Sequence, residues 1–464
     1  MNGEVKPARP FGIRDKLGYL FGDFGNDFTF ILSSGFLLKF YTDVMGVSAA
    51  TVGVVMMIAR FVDAFTDVTM GRICDRAKFG KNGKFKPWIL WMSGPVAISS
   101  FLIYQSSLAD SPLWFRIGWL FFTYILWGSV FYTTVNIPYG SMASAISSDP
   151  DDRQSLSTYR SVGSTLAGVI VGAGIPLFAY KAVDGNTVLD GPSFTVIAGI
   201  FSILALICYL LCYYLTTERV NRVSDKIRAQ KRGFVSLLKR AVKNRALISI
   251  IAASVVMLFS QLTLQSMANY LYPNFYNSAA AQSASTVIMM AAILLAAAIA
   301  KPVARKFGKA EVSAFSNLLA AATSLFLFFL RPENVWVYVA ISFISWLGLG
   351  IFTMVSWALI TDVIDYSEIR DGVREDGSIY ALYSFARKLG QAGSAGLSGA
   401  LLSLIGYSQQ SAFDEGVKNG IFNISTLVPA LGFGALALIL WLWYPLKKSD
   451  VENNVKTLKK MHGD

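Results

Sequence analysis

The sequence has almost no histidine, few cysteines and few charged residues, and each shortage excludes a class of function. The only histidine among 464 residues is His462, in a polar C-terminal tail, so the apolar segments lack histidine for acid–base catalysis. The three cysteines, Cys74, Cys208 and Cys212, have no spacing typical of disulfides or of a metal site. Charged residues make up 15% of the chain, compared with about 25% in soluble domains. This composition disfavours soluble enzymes and metalloproteins.

Apolar residues are abundant instead, at 54% of the chain, and they form long runs. About 20 apolar residues in a helix cross a hydrocarbon core of about 30 Å. We count twelve runs of this length, which predicts an all-α membrane protein with twelve transmembrane helices. They lie near 18–41, 47–71, 87–108, 114–140, 156–180, 193–216, 246–271, 280–302, 310–331, 335–363, 377–405 and 422–445.

The basic residues fall in alternate connections between these runs. Lysine and arginine are concentrated in 72–86, 217–245, 301–309 and the tail, while 42–46, 109–113 and 272–279 contain none. This is the positive-inside pattern, which predicts that both termini are cytoplasmic. It also accounts for the net charge of +12 without a nucleic-acid partner. The first run contains Asp23 and Asp27 and lacks a small-residue cleavage site, so we expect no cleaved signal peptide.

The basic linker 217–245 divides the runs into six and six. We predict an N-terminal six-helix bundle at 1–216, a C-terminal bundle at 246–445 and a cytoplasmic tail at 446–464. A short repeat, Lys-Phe-Gly-Lys, follows the second run and the eighth, which supports two related halves. Two related bundles with a site at their interface are typical of secondary transporters.

Two aspartates, Asp63 and Asp67, lie four residues apart within the second run. At 100° per residue their side chains project about 40° apart, to one side of a helix. A charge at this depth costs about 2.5–3.5 kcal/mol on insertion scales. The pair, with Arg60, therefore indicates a water-filled path, a bound cation or a proton relay. The alternative is that Arg60 neutralises one carboxylate as a structural pair, which leaves the second without a partner.

Six motifs occur in order along the chain. They are GDFGNDF at 22–28, DAFTD at 63–67, GKNGKFKPW at 80–88, YTTVNIPYG at 132–140, DVIDY at 362–366 and YSFARKLGQ at 383–391. Together they resemble the glycoside–pentoside–hexuronide:cation symporters of the major facilitator superfamily, over nearly the whole chain. The resemblance implies the major facilitator fold, with cation-coupled sugar transport by alternating access.

The same resemblance implies residue roles. Asp63 and Asp67 would bind the coupling cation with Thr133, and Thr66 stands where the family often has asparagine. Asp27 and Arg160 match sugar-binding positions of the melibiose branch, whereas Asn136 and Gly140 replace that branch's aspartate and tryptophan. Asn136 resembles the residue that glucuronide carriers have at this position. The chain thus combines features of both branches, and the resemblance does not identify which group of substrates it carries. The remaining substrate candidates of the first half are Asn26, Tyr132 and Tyr139.

The eleventh run contains two adjacent cations, Arg387 and Lys388. They project about 100° apart on a helix, so we expect only one to face a cavity. We favour Lys388, because Lys388-x-Gly390 fits the family pattern, with Gln391 also lining the site. Such a cation would hold a uronate or sulfonate group. It would equally serve by pairing with a carboxylate of the first or second run.

Further charged residues are candidates for gating or coupling, through salt bridges that latch the two halves closed on the inside. The alternative for each one is a solvated loop charge. The candidates are Asp23, Arg60, Asp75, Arg76, Arg153, Asp362, Asp365 and Glu375.

The leading hypothesis is a multi-pass protein of a bacterial inner membrane that couples import of a glycoside to Na⁺ or H⁺. An anionic hexuronide or sulfosugar is the nearest alternative cargo, and a lysolipid-type cargo is disfavoured by the carboxylate-and-arginine set. An intramembrane enzyme or a sugar-sensing receptor are the other classes considered. We expect no enzyme activity and no cofactor beyond the coupling ion. The expected partners are a small sugar and membrane lipid, with no nucleic acid and no obligate protein partner.

Overall fold

The computed structural model describes residues 9–77, 79–80, 82–220, 244–372 and 376–462. Within these ranges the chain forms thirteen helices and one small hairpin. The helices are α1 Ile13–Asp43, α2 Ala49–Arg76, α3 Lys86–Ile103, α4 Leu113–Ile146, α5 Pro150–Ala179, α6 Gly191–Leu215, α7 Arg245–Phe275, α8 Ala279–Phe307, α9 Lys309–Leu330, α10 Val335–Asp371, α11 Asp376–Leu404, α12 Glu415–Trp443 and α13 Lys448–His462. The strands are β1 Tyr180–Val183 and β2 Asn186–Leu189. A 3₁₀ turn, Ser106–Leu108, follows α3.

Helices α1 to α12 coincide one for one with the twelve predicted spans, which confirms the predicted all-α membrane architecture. Nine of these twelve described helices are long and apolar enough to cross a membrane. Of the other three, α3 has only 18 residues, and α1 and α11 contain charged residues within the span. In α1 these include Asp23 and Asp27, and in α11 they include Arg387 and Lys388. Two of these three helices, α1 and α11, thus carry predicted site residues.

The chain divides into two compact units, one containing α1–α6 and the other α7–α13. In the first unit α1 packs against α5 and α6, and α2 packs against α4. In the second unit α9 packs against α10 and α12, and α11 packs against α7. The predicted domain boundaries and the cytoplasmic sidedness remain predictions. Residues 221–243 of the predicted linker lie outside the described residues.

The start of the predicted linker is bound to the first unit. Glu218 accepts hydrogen bonds from the backbone N–H groups of Lys84, Phe85 and Lys86, at 2.6, 2.9 and 2.8 Å. Burial raises the pKa of the Glu218 carboxyl, although the three N–H groups favour its charged form. Arg219 donates to the buried carboxylate of Asp15 at 2.8 Å. The first residues after α6 therefore connect the N-terminal end of α1 to the N-terminal end of α3.

Candidate functional site

The two acidic residues of α2 face hydroxyl groups of α4. The Ser129 hydroxyl donates to Oδ1 of Asp63 at 2.5 Å, and the Thr133 hydroxyl donates to Oδ1 of Asp67 at 2.8 Å. Ser129 belongs to a π-helical stretch of α4, Leu126–Tyr132. Such stretches are frequent at functional sites because they shift the helix face. Each carboxylate of α2 is thus bound to a hydroxyl of α4.

Asp63 and Asp67 are held differently. The Arg60 guanidinium lies 3.4 Å from Oδ2 of Asp63, one helical turn away, and also stacks at 4.9 Å from the ring centre of Phe30. Arg60 and Asp63 are largely buried, with side chains 13% and 15% exposed. The structure therefore contains the Arg60 pair considered as an alternative. The second carboxylate accepts a hydrogen bond from the α4 hydroxyl of Thr133.

Two features of this cluster differ from the sequence expectation. Thr66 does not reach the carboxylates, because its hydroxyl bonds to the backbone carbonyls of Val62 and Asp63 at 3.3 and 3.2 Å. Ser129 was missed, although it precedes Thr133 by four residues, the same spacing that separates the two aspartates. This matching spacing on two packed helices was the available signal.

A second polar group in this unit is an ion pair between α1 and α5. Nε of Arg160 lies 2.9 Å from Oδ1 of Asp23, whose side chain is only 7% exposed. The Arg160 guanidinium also lies 5.4 Å from the ring centre of Tyr139. Arg160, predicted to bind substrate, is thus neutralised by Asp23, which we had assigned to gating. Asp27 lies close to this pair and to the Ser164 hydroxyl, and it forms no ion pair among the described residues.

Tyr139 belongs to the core of the first unit. It is 1% exposed, and its hydroxyl donates to the backbone carbonyl of Tyr19 at 2.6 Å. Its ring packs so closely on Gly22 that a Cβ there would lie 2.2 Å from a ring carbon. Tyr139 is therefore part of the packed core in this structure, and its contact with substrate stays a prediction. Tyr132, in contrast, is half-buried and stacks on Phe30 at 5.8 Å.

Two predicted amides meet between α1 and α4. Nδ2 of Asn26 lies 3.4 Å from Oδ1 of Asn136, and the Tyr209 hydroxyl donates to Oδ1 of Asn26 at 3.0 Å. Asn26 is buried, whereas Asn136 is half-buried. Asn136 is thus the member of the pair that substrate could reach, and Asn26 orients it. Tyr209 on α6 gave no signal in the sequence, since it lies in a strongly apolar run.

In the second unit, Arg387 rather than the favoured Lys388 lies on an aromatic surface. Its guanidinium is 5.6 Å from the ring centre of Trp357 and 5.9 Å from that of Tyr383. The two rings meet edge to face at 5.1 Å, and the Ser254 hydroxyl lies 2.7 Å from that of Tyr383. Within the described part of the chain Arg387 has no carboxylate partner. Lys388 and Gln391 are both half-buried on the same helix.

The gating candidates are scattered. Nζ of Lys309 lies 2.5 Å from Oδ1 of Asp362, so this acid pairs within its own unit rather than with the other half. Arg153 bonds to the backbone carbonyls of Ser148 and Asp149 at the start of α5, and Arg76 is exposed. Asp365 lies on α10 near Asp362 and remains a candidate. Glu375 and the side chain of Asp75 lie outside the described residues.

Comparison with known proteins agrees with this architecture. The model of the family described as MFS/sugar transport protein matches residues 18–448. An uncharacterized symporter, YjmB, of Bacillus subtilis is 29% identical over 99% of this chain and 97% of its own. A putative 2,3-dihydroxypropane-1-sulfonate exporter of Salmonella typhimurium is 30% identical over 90% and 89%. A glucuronide carrier protein homolog of Escherichia coli is 29% identical over 97% and 98%.

Solved structures share the fold. The crystal structure of a D-xylose–proton symporter superposes with a TM-score of 0.62 over 93% of this chain and 97% of that one. Its sequence identity is 15%, so this likeness concerns the fold alone.

Proposed function

The chain belongs to the MFS/sugar transport protein family, and on that premise we propose that it couples entry of a glycoside to Na⁺ or H⁺. It is a multi-pass protein of the bacterial inner membrane. The observation that carries the proposed coupling is the cluster of Asp63 and Asp67 with Ser129 and Thr133. Four oxygen ligands suit a hard cation, and a Na⁺ or H⁺ held there relieves the repulsion between two close carboxylates.

The hydroxyls of Ser129 and Thr133 donate to the carboxylates in this structure. Each hydroxyl oxygen keeps its lone pairs while it donates, so both could also ligate a Na⁺ held between the carboxylates, whereas a bound proton would turn one carboxylate into a donor. Sugar and cation affinities then rise together, as linkage requires. Asp27, Asn136 and Tyr132 supply acceptors, an amide and a ring for a sugar.

Transport by reconstituted protein tests this function. The purified full chain is placed in proteoliposomes, and counterflow of a panel of glycosides identifies the sugar without any imposed ion gradient. An imposed Na⁺ gradient or pH gradient is then added. We expect accumulation above equilibrium with one of the two gradients. Uptake that only equilibrates under both gradients would contradict coupling.

We further propose that the glycoside carries an anionic group, because of Arg387. A half-buried guanidinium without a carboxylate among its described neighbours is a ready partner for a carboxylate or sulfonate. The Trp357 and Tyr383 rings beneath it hold the guanidinium plane in place through cation–π contact. Two relatives carry names that refer to anionic compounds, a glucuronide and a dihydroxypropane sulfonate.

Competition between cargoes tests the charge preference. Uptake of the sugar identified by counterflow is measured in the presence of a β-glucuronide or of the matching neutral β-glucoside. We expect the glucuronide to compete at lower concentration. Equal competition, or stronger competition by the glucoside, would favour a neutral cargo and leave the coupling proposal standing.

A further inference from the structure

Three buried hydroxyl groups lie together inside the first unit. They belong to Ser33 on α1, Tyr104 directly after α3 and Tyr124 on α4, and these residues are 1%, 0% and 1% exposed. The Ser33 hydroxyl lies beside both tyrosine hydroxyls. Among the described residues, however, none of the three is at hydrogen-bonding distance and angle from a donor or acceptor. Hydroxyls buried this deeply normally have a partner, so the group indicates a ligand.

Ser33 is directed away from its own helix. A helical serine or threonine commonly bonds back to a backbone carbonyl three or four residues earlier. Thr29, one turn before Ser33, does so, since its hydroxyl lies 3.1 Å from the carbonyl oxygen of Asn26. The Ser33 hydroxyl makes no such bond within α1. It is therefore free to bind a group held between α1, α3 and α4.

Aromatic neighbours fix both tyrosine rings. The ring centre of Tyr104 lies 5.4 Å from that of Phe40 and 5.3 Å from that of Phe194. Tyr124 stacks on Trp127 at 5.7 Å with an angle of 20° between the ring planes. A phenol oxygen lies in the plane of its ring, so these contacts also fix the two hydroxyl oxygens. The hydroxyls can close on one another only if this close-packed core repacks.

A single water molecule suits this arrangement. A buried water typically makes about three hydrogen bonds to polar groups that lack other partners. Each hydroxyl has one donor and two lone pairs, so each can take either role toward the water. A cation is disfavoured, because the Arg60 guanidinium lies beside Tyr124. An anion is not required, because Arg60 already lies against the carboxylate of Asp63.

Arg60 connects this group of hydroxyls to the α2 acid pair. Its Nη1 lies 3.4 Å from Oδ2 of Asp63, which is longer than the roughly 2.7–2.9 Å of a strong arginine–carboxylate hydrogen bond. The same guanidinium lies beside the Tyr124 hydroxyl. A guanidinium has five N–H donors, so Arg60 can donate toward both groups at once. Tyr124 thus competes with Asp63 for Arg60.

We propose that Ser33, Tyr104 and Tyr124 bind one internal water molecule, and that Tyr124, held by this water, keeps Arg60 from closing on Asp63. Asp63 thereby keeps a lone pair for the coupling cation. Tyr124 is accordingly a positioning residue, which acts on the cation site through Arg60. This role rests on the proposed coupling at the α2 acid pair, whereas the water site does not.

The cation dependence of uptake tests this role in proteoliposomes that contain the full chain. The sugar is the one identified by counterflow. The cation concentration for half-maximal uptake is measured for the wild type, Tyr124→Phe, Ser33→Ala and the double variant. Tyr444→Phe, at a buried tyrosine of the second unit, and Ser202→Ala, at a buried serine of α6, are the matched controls. Size-exclusion chromatography and the melting temperature verify that each variant is folded.

We expect Tyr124→Phe to raise the half-maximal cation concentration, because Arg60 then closes on Asp63 and competes with the cation. Loss of one neutral hydrogen bond corresponds to about fivefold, or to about 0.7 pH unit toward acid when the ion is a proton. Ser33→Ala should shift the value in the same direction. The double variant should shift it no further than Tyr124→Phe, because Ser33 acts only through Tyr124. Counterflow at saturating cation, and both controls, should match the wild type.

Different outcomes overturn different parts of this proposal. An unchanged half-maximal concentration in Tyr124→Phe would overturn the positioning role. Shifts of the two single variants that add in the double variant would overturn the shared water, as would a high-resolution structure of the wild type without density between the three hydroxyls. If wild-type uptake depends on neither cation, the proposed coupling fails instead, and the density between the hydroxyls decides the water site alone.

Discussion

The candidate site arginines of the two units have different kinds of partner. In the first unit Arg60 lies against Asp63, and Arg160 pairs with Asp23. In the second unit Arg387 rests on two aromatic rings and has no acidic partner among the described residues. An arginine paired with a carboxylate is already neutralised, whereas an arginine without an acidic partner attracts an anion. This difference supports our proposal that cation coupling belongs to α1–α6 and recognition of an anionic group to α7–α12.

The largest expected effect comes from Asp63→Asn. A membrane potential of 100 mV acting on one coupled charge provides about 2.3 kcal/mol, enough for roughly fiftyfold accumulation. We expect this variant to lose accumulation completely while sugar exchange continues, because the amide no longer binds the coupling cation. Concentrative uptake into proteoliposomes measures the loss.

The matched control is Asp110→Asn, an exposed acid in the loop before α4. It should accumulate sugar like the wild type. If Asp63→Asn still concentrates sugar, the proposed assignment of cation coupling to the first unit is wrong.

Arg387→Gln should have the next largest effect, restricted to acidic cargo. Loss of a charge-assisted hydrogen bond costs about 1.5–3 kcal/mol, which corresponds to roughly tenfold or more in affinity. The apparent affinity for a glucuronide should fall by that factor, while a neutral glucoside is little affected. Lys388→Gln is the neighbouring control and should change both affinities less. An equal loss for both cargoes would show that Arg387 serves packing alone.

One glycine in each unit tests how tightly the helices of that unit pack. A Cβ at Gly22 would lie 2.2 Å from the Tyr139 ring, and one at Gly393 would lie 2.2 Å from the Phe259 ring. Overpacking of this kind costs about 1–3 kcal/mol. Gly22→Ala and Gly393→Ala should both lower the thermal melting temperature. Gly35→Ala, in α1 but with no atom near its Cβ, should leave it unchanged or raise it.

The smallest effect is a pH dependence outside the spans. A hydrogen bond from Lys181 lowers the pKa of Asp190, at the start of α6. A depressed folded-state pKa stabilises the fold above the ordinary aspartate pKa of about 3.9, and this contribution is lost as pH falls through the lower folded value. The melting temperature of the wild type should therefore fall more than that of Asp190→Asn on acidification. Parallel curves would contradict this.

The sequence was sufficient for the order of the helices and for the acid pair, because both follow from hydropathy and helical spacing. It did not determine which of Arg387 and Lys388 meets the aromatic rings, since adjacent residues differ by 100° and packing of α11 on α7 selects the phase. The four-residue spacing between Ser129 and Thr133 was visible in the sequence, but the π-helical stretch of α4 to which Ser129 belongs was not. The hydrogen bonds of Glu218 were not predictable either, because they join segments that are far apart in the sequence. These misses concern tertiary packing, whereas the successes concern local periodicity.

Binding linkage tests the coupling site most directly. The dissociation constant of the transported sugar is measured by calorimetry on purified protein over a series of Na⁺ concentrations and pH values, for the wild type and for Asp63→Asn. Wild-type affinity should rise with one of the two cations, and affinity in Asp63→Asn should be independent of both. A cation dependence that is the same in both proteins would remove the α2 acid pair from the mechanism.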